Sequence, residues 1–365
     1  MIREGRIGLF EAVALLLWPT LGKIFLSYSS GIIQENLSAA WLVVLAGCLL
    51  GLIFYLPLAA LLTRFPGEDL TGIAERAAGP VIGKMLSGIL IVYFFISTVL
   101  LLRQIAETVI GTALPQFPLL VVIILLAAVM ALPAGWGLEP TARVAALATP
   151  FLLIGGIGIF LLQYGNLKLD YLAPFWGPGL REIAANSLAR SSLVSEVVFL
   201  GFLAPFLPRQ KKAAAGFYLI ALAGILLTGA MLIGQMVFPP GVAAEHSFPF
   251  YEISRSIYFG RFYQRVEFIF VLVWLTITML SLSLRFYFTA AGVAKVFKMP
   301  YYQPLIGIMA FTVLAAALLL HDYNTAVFWD NLIQGRLAWI PAFLIPALIY
   351  LIAAARGKHG KQTNV

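Results

Sequence analysis

Apolar residues along this chain come in long unbroken runs. They show neither the strict alternation of a half-buried strand nor the single stripe of a soluble helix. Breakers and charges divide them into ten segments, near 8–33, 40–62, 82–110, 118–135, 142–163, 184–207, 214–238, 264–290, 301–320 and 337–355. A helix needs roughly 20 apolar residues to cross hydrocarbon. The pattern therefore predicts an all-α integral membrane protein of ten transmembrane helices, one polytopic domain over 1–365. The third and eighth segments are long enough to tilt or to project from the bilayer. Ten segments divide five and five, 8–163 and 184–355, with a tail at 356–365, as in inverted-repeat transporters. Two connections are long, 164–183 and 239–263. In the second, Phe248, Phe250, Tyr251, Ile253, Ile257 and Tyr258 alternate with Glu252, Arg255 and Arg261, which reads either as a surface helix or as a lid.

Composition narrows the function classes. Of 365 residues, 61% are hydrophobic and 11% charged, against about 45–50% and about 25% in soluble domains. Ten spans leave no room for a soluble catalytic or nucleotide-binding domain, so the protein acts in the bilayer or at its faces and is not expected to be an enzyme. The single cysteine, Cys48, precludes an intrachain disulfide. His246, His321 and His359 are scattered without metal-ligand spacing, so neither metal nor cofactor is expected. No phosphate-binding loop, HExxH or nucleophile elbow is present. The start resembles a signal peptide, but Glu11 and Lys23 interrupt its apolar run, and no small-residue cleavage site follows.

The net charge of +8 fits positive loops on one membrane face rather than nucleic-acid binding. With an even number of spans, Arg3, Arg6, Arg64, Arg76, Lys84, Arg143, Arg209, Lys211, Lys212, Lys295, Lys298, Arg356, Lys358 and Lys361 share a side with both termini. Lys168, Arg181, Arg190, Arg255, Arg261, Arg265 and Arg336 fall on the other. The bias predicts cytoplasmic termini.

Candidate chemistry lies where polar residues interrupt the spans. The first contains Trp18-Pro19-Thr20-Leu21-Gly22-Lys23, then Ser27-Tyr28-Ser29-Ser30-Gly31. This reads either as a proline kink or as a true helix break whose free backbone groups hold a ligand. The sixth contains Ser187, Ser191, Ser192, Ser195, Glu196, Gly201 and Pro205. Glu196 is about 12 residues into its span, roughly 18 Å deep, where an acid is costly and a candidate for function. Lys23 lies at similar depth, and antiparallel packing would bring the two together, as a fixed ion pair or as a pair answering to a ligand's ammonium and carboxylate. Ligand-binding candidates are Thr20, Leu21, Gly22, Lys23, Ser192, Ser195 and Glu196. Arg103 and Glu107 share a helix face, as a local salt bridge or a gate. Arg285 reads as a snorkelling residue near the end of the eighth span.

Ordered landmarks then carry a resemblance. Arg64-Phe65-Pro66 with Leu70 follows the second span, and Gly79 with Gly83-Lys84 opens the third. Leu102-Arg103 and Glu107 precede Leu114-Pro115 and Phe117-Pro118. Gly137-Leu138-Glu139 with Arg143 links the fourth and fifth. Phe248-Pro249, Arg265, Glu267 and Trp274 bracket the start of the eighth. In this order and spacing, over roughly 5–355, the chain resembles the spore germination permease family, the B subunits of nutrient germinant receptors, within the amino acid–polyamine–organocation superfamily. The resemblance implies a leucine-transporter-like fold with a 5+5 inverted repeat and broken helices 1 and 6. It implies a small amino acid or similar nutrient bound near the midplane, partner A and lipoprotein C subunits, and residence in the inner spore membrane. Gly22 falls at the first break of that pattern, and Glu196 and Pro205 on the sixth-helix pattern. Arg103, Glu107, Arg265 and Glu267 are gating or structural candidates. Ser27-Tyr28-Ser29-Ser30 stands where the family usually has a Leu-Pro element, and Lys23 is outside its pattern. A proton-coupled amino acid transporter and a scaffold with a vestigial pocket are the competing readings.

Overall fold

The apolar runs fold into helices whose ends are set by proline, glycine and side-chain caps. The computed structural model describes residues 5–25, 28–208, 211–246, 248–257 and 267–360. Ser27, Tyr258, Arg261 and Arg265, singled out in the sequence, lie outside these. α1 (Leu9–Gly22) contains Pro19. The backbone then tightens into a 3₁₀ turn over Lys23–Phe25, and the helix resumes as α2 (Tyr28–Asn36). A turn with Leu37 at φ 51° leads into α3 (Ala40–Arg64). α4 (Leu70–Ala78) is capped by Asp69, whose side chain accepts from the Gly72 N–H. Gly79, at φ 92°, then allows the sharp turn into α5 (Pro80–Thr112). α6 (Leu119–Trp136) and α7 (Leu138–Leu162) follow.

α8 (Leu180–Arg190) ends at a second interruption. Ser191–Val198 wind as 3₁₀ turns in which Val194 leaves helical geometry (φ −104°, ψ 23°), before α9 (Phe199–Leu203). Next come α10 (Lys212–Val237), α11 (Pro240–Glu245), α12 (Pro249–Arg255), α13 (Glu267–Val296), α14 (Gln303–Leu318) and α15 (Tyr323–Asp330). Wider, π-type turns at Asn331–Leu337 and Ile340–Leu344 connect α15 to α16 (Ile345–Ala355).

Among the described residues, eight helical runs are long and apolar enough to cross a membrane. The first and ninth predicted segments are not among them. α1 has 14 residues, because its helix breaks at Gly22, and α14 has 16. Large apolar side chains such as Leu147, Phe151, Ile154 and Phe311 point outward and are exposed, as lipid-facing helices require. The protein is a multi-pass membrane protein.

Three expectations need correction. The eighth span continues to Val296 rather than 290. The last begins at Tyr323 rather than 337, because wide turns carry the helix through the polar stretch Asn331–Arg336. α4 was not foreseen; its nine residues are too short for a periodicity signal. In the long 239–263 connection, two short helices form. Phe250, Ile253 and Ile257 pack inward.

The termini mark one end of the bundle. The Ile7 N–H donates to the Phe206 carbonyl and the Gly360 N–H to the Arg64 carbonyl, both at 3.1 Å. This end is called the terminal face below, and the other the far face. α1 lies at the centre, packed on α7, α10 and α13. α3 packs on α10 and α8. Gly47 of α3 permits that approach: a Cβ there would lie 3.0 Å from the backbone carbonyl of Arg190.

Candidate functional site

The two helix interruptions meet. Lys23, in the first, donates from Nζ to the Ser192 carbonyl at 3.1 Å and to Ser195 Oγ at 2.8 Å. Both acceptors belong to the second, where the unwound backbone frees carbonyls that a regular helix would consume. The same ammonium is 2.7 Å from Glu196 Oε2. The pairing expected from depth alone is therefore formed.

Glu196 also holds a second cation. Arg285 Nη2 lies 2.7 Å from Glu196 Oε1. The guanidinium of Arg285 donates to Gln334 Oε1 through Nη1, and Gln334 Nε2 donates to Asp330 Oδ1 at 2.7 Å. Lys23, Glu196, Arg285 and Asp330 are each no more than 6% exposed. Two positive and two negative groups balance, which is what allows ionised side chains to lie this deep.

Arg285 is thus not a snorkelling residue. Its helix runs 11 residues beyond it to Val296, which places it roughly 16 Å from that end. The early boundary set in the sequence made it look peripheral. Asp330 and Gln334 were missed because the last span was started after them. The signal that would have found them is their spacing, four residues apart on one helix face.

The other expected residues divide. Gly22 faces α13: a Cβ there would meet Ile277 Cγ2 at 3.0 Å and Ser281 Oγ at 3.5 Å. Ser192 Oγ donates to the Gly335 carbonyl at 2.6 Å, in the π-type turn of the last helix. Ser195 Oγ also lies 3.5 Å from the Tyr93 hydroxyl. Thr20 instead turns its hydroxyl to the Leu16 carbonyl of its own helix, at 2.8 Å. Leu21 faces away, lining an apolar cleft of about 300 Å³ with Trp18, Phe25, Phe160 and Ile277. Arg103 and Glu107 pair at 2.8 Å, and Arg103 also reaches the Ala317 and His321 carbonyls. That ties α5 to the end of α14, apart from the central network. Glu267 opens α13.

Both approaches to the network are closed. Toward the terminal face, Phe94, Phe199, Phe202 and Phe288 form a plug. Phe199 and Phe288 stack with centroids 4.8 Å apart, and Phe94 is 4.7 Å from Phe199. Toward the far face, Glu35 of α2 bridges Arg190 of α8 at 2.7 Å and Arg336 of the last helix at 2.8 Å. None of these four aromatic residues or three charged ones was among the sequence candidates for the site. No cluster of His, Cys, Asp and Glu able to hold a metal occurs among the described residues. The arrangement can exchange partners for a small polar molecule at its centre, provided that one of the two closures opens.

Comparison with known proteins agrees with this architecture. The sequence profile of a family described as spore germination protein matches residues 6–326. Spore germination protein YndE of Bacillus subtilis is 23% identical over 337 residues, covering 90% of each chain. Spore germination protein KB of the same organism is 23% identical, covering 100% of this chain and 98% of its own. Among solved structures, Mhp1 superposes with a TM-score of 0.67 at 14% identity, over 96% of this chain and 94% of its own. Mhp1 is a nucleobase–cation-symport-1 family transporter, solved in a closed conformation with bromovinylhydantoin bound. At that identity the likeness is one of fold, the leucine-transporter type.

Proposed function

The chain belongs to the spore germination protein family, and we propose that it is the nutrient-sensing B subunit of a germinant receptor, binding a small amino acid between its two broken helices. The observation that carries this reading is Glu196, clamped between Lys23 at 2.7 Å and Arg285 at 2.7 Å where both helices are interrupted. An ammonium and a carboxylate on one small molecule can replace these internal pairs while keeping the buried charge balanced. A ligand with a single net charge would leave one group uncompensated, at a cost of several kcal/mol.

In this reading the fold has ten spans in two inverted sets of five. Both termini face the cytoplasm, in the inner spore membrane. The cations of the terminal face, including Arg76, Lys84, Arg143, Lys211 and Lys298, support that orientation. Ligand binding favours one arrangement of the broken helices, and the difference passes to an A subunit and a lipoprotein C subunit.

Equilibrium binding of labelled L-alanine and other single amino acids to the purified protein in lipid nanodiscs tests the site. Binding by the wild-type chain, lost in Glu196→Gln and in Lys23→Gln variants that still insert, is the expected result. Undiminished affinity in both variants would remove the site.

A further inference from the structure

Arg190 is placed unlike its two charged neighbours at the far face. Its side chain is 3% exposed, whereas Glu35 is 30% and Arg336 is 61% exposed. A buried guanidinium requires an anion beside it, and Glu35 supplies it through Nη2 alone. Glu35 spends one oxygen on Arg190 and the other on Arg336. Arg190 Nη1 is buried and has no hydrogen-bond acceptor among the described residues. Its guanidinium carbon is 5.5 Å from the centre of the Tyr28 ring. Across from it is Gly335, where a Cβ would lie 3.3 Å from Nη1 and 3.1 Å from the Tyr28 hydroxyl. A glycine here lets the last helix lie close against the free edge of the guanidinium without supplying it an acceptor.

We propose that Arg190 is a carboxylate-binding residue at the far-face entrance, and that Glu35 is a resident carboxylate which holds this subsite until a small ligand's carboxylate replaces it. A free carboxylate can take Nη1 and Nη2 together, the two-point geometry that Glu35 forgoes by serving two arginines. Exchange is the favoured route. Arg190 cannot be left buried without an anion, whereas Glu35 is already partly in water and retains Arg336 when it swings away. Exchange also releases a latch, because Glu35, Arg190 and Arg336 stand on the first, sixth and last helices. The subsite leads inward: Arg190 directly precedes the unwound Ser191–Val198 stretch, where Ser192 holds both Lys23 and Gly335. The inference deepens the amino-acid reading and rests on it only for the identity of the natural ligand; the subsite itself asks for any small monocarboxylate.

The test uses the full chain in nanodiscs, with acetate, L-alanine and L-alaninamide as probes and ligand-induced thermal shift as the readout. Glu35→Gln removes the competing charge with little change of shape. Half-saturation by acetate is expected to fall about tenfold or more in this variant. Arg190→Gln is expected to abolish the acetate response. Arg190→Lys, which keeps the charge but loses the fork, is expected to fold and to bind acetate more weakly than the wild type. The same Arg190 variants should weaken L-alanine while leaving L-alaninamide unchanged. Acetate half-saturation unaltered in Glu35→Gln, or an acetate response surviving in Arg190→Gln, overturns the proposal. If acetate behaves as expected but no amino acid binds, the subsite stands and the amino-acid reading falls. If L-alanine binds and is indifferent to both positions, the amino-acid reading stands and the subsite falls.

Discussion

Glu196 is the carboxylate in direct contact with both buried cations, Lys23 and Arg285, so its substitution has two consequences. Glu196→Gln leaves Lys23 and Arg285 buried without their shared anion. Breaking such a pair from one side costs about 3–5 kcal/mol. The variant is expected to insert, to unfold at a lower temperature than the wild type, and to lose its ligand response. Thermal unfolding in detergent and binding in nanodiscs check the two effects separately. A variant of unchanged stability would mean that the buried pairs do not form. Lys23 and Glu196 should also be coupled. In a double-mutant cycle with Lys23→Gln, the interaction energy is expected to be about 0.5–3 kcal/mol, and strict additivity would argue against the 2.7 Å contact. Both residues were legible in the sequence, because a charge inside a long apolar run stands out. Arg285 was equally conspicuous, but its role depended on where the helix ends, and no charge or proline marks that end before Lys295 and Lys298.

The elements hold these residues by close backbone approach and by caps. Gly47 lets α3 press against the start of the unwound stretch, with 3.0 Å between a hypothetical Cβ and the Arg190 carbonyl. Gly47→Ala forces that backbone to move. Overpacking of this kind costs typically 1–3 kcal/mol, and weaker L-alanine binding is expected with it; a variant with wild-type stability and affinity would show that the stretch yields freely. At the terminal face, Asp69 caps α4, takes the Thr71 hydroxyl and pairs with Lys295 at 2.5 Å. Burial pushes its carboxyl up, but the Lys295 ammonium and these hydrogen bonds outweigh burial and hold it below the usual aspartate value. Its stabilisation is therefore complete above the unfolded-state value near 3.8, and is lost as pH falls through the lower folded-state value. Asp69→Asn should lower the unfolding temperature at neutral pH and flatten its decline below about pH 4. A parallel decline in both proteins would exclude Asp69 as the source. None of this was visible beforehand. A nine-residue helix gives too few turns for periodicity, and its cap pairs with a lysine more than 200 positions away.

At the scale of the whole molecule, the structure is a charge-balanced centre closed at both ends, by aromatic rings toward the terminal face and by an ion-pair latch toward the far face. The membrane class and most span positions could be read from hydropathy, because lipid-facing helices must be apolar along their whole length. The closures could not. Phe94, Phe199, Phe202 and Phe288 look like any other apolar residues in a span, and Glu35, Arg190 and Arg336 look like ordinary loop charges until the fold brings them together. A state closed on both sides is common to sensors and transporters, as the closed conformation of the transporter Mhp1 illustrates; a transporter must in addition open each side in turn. The deciding measurement is a time course of labelled L-alanine with the purified protein in liposomes under an inward proton gradient. The account predicts a fast plateau near one ligand per protein, indifferent to uncouplers. Accumulation far above that ratio, collapsing when an uncoupler is added, would contradict it and make the protein a proton-coupled transporter.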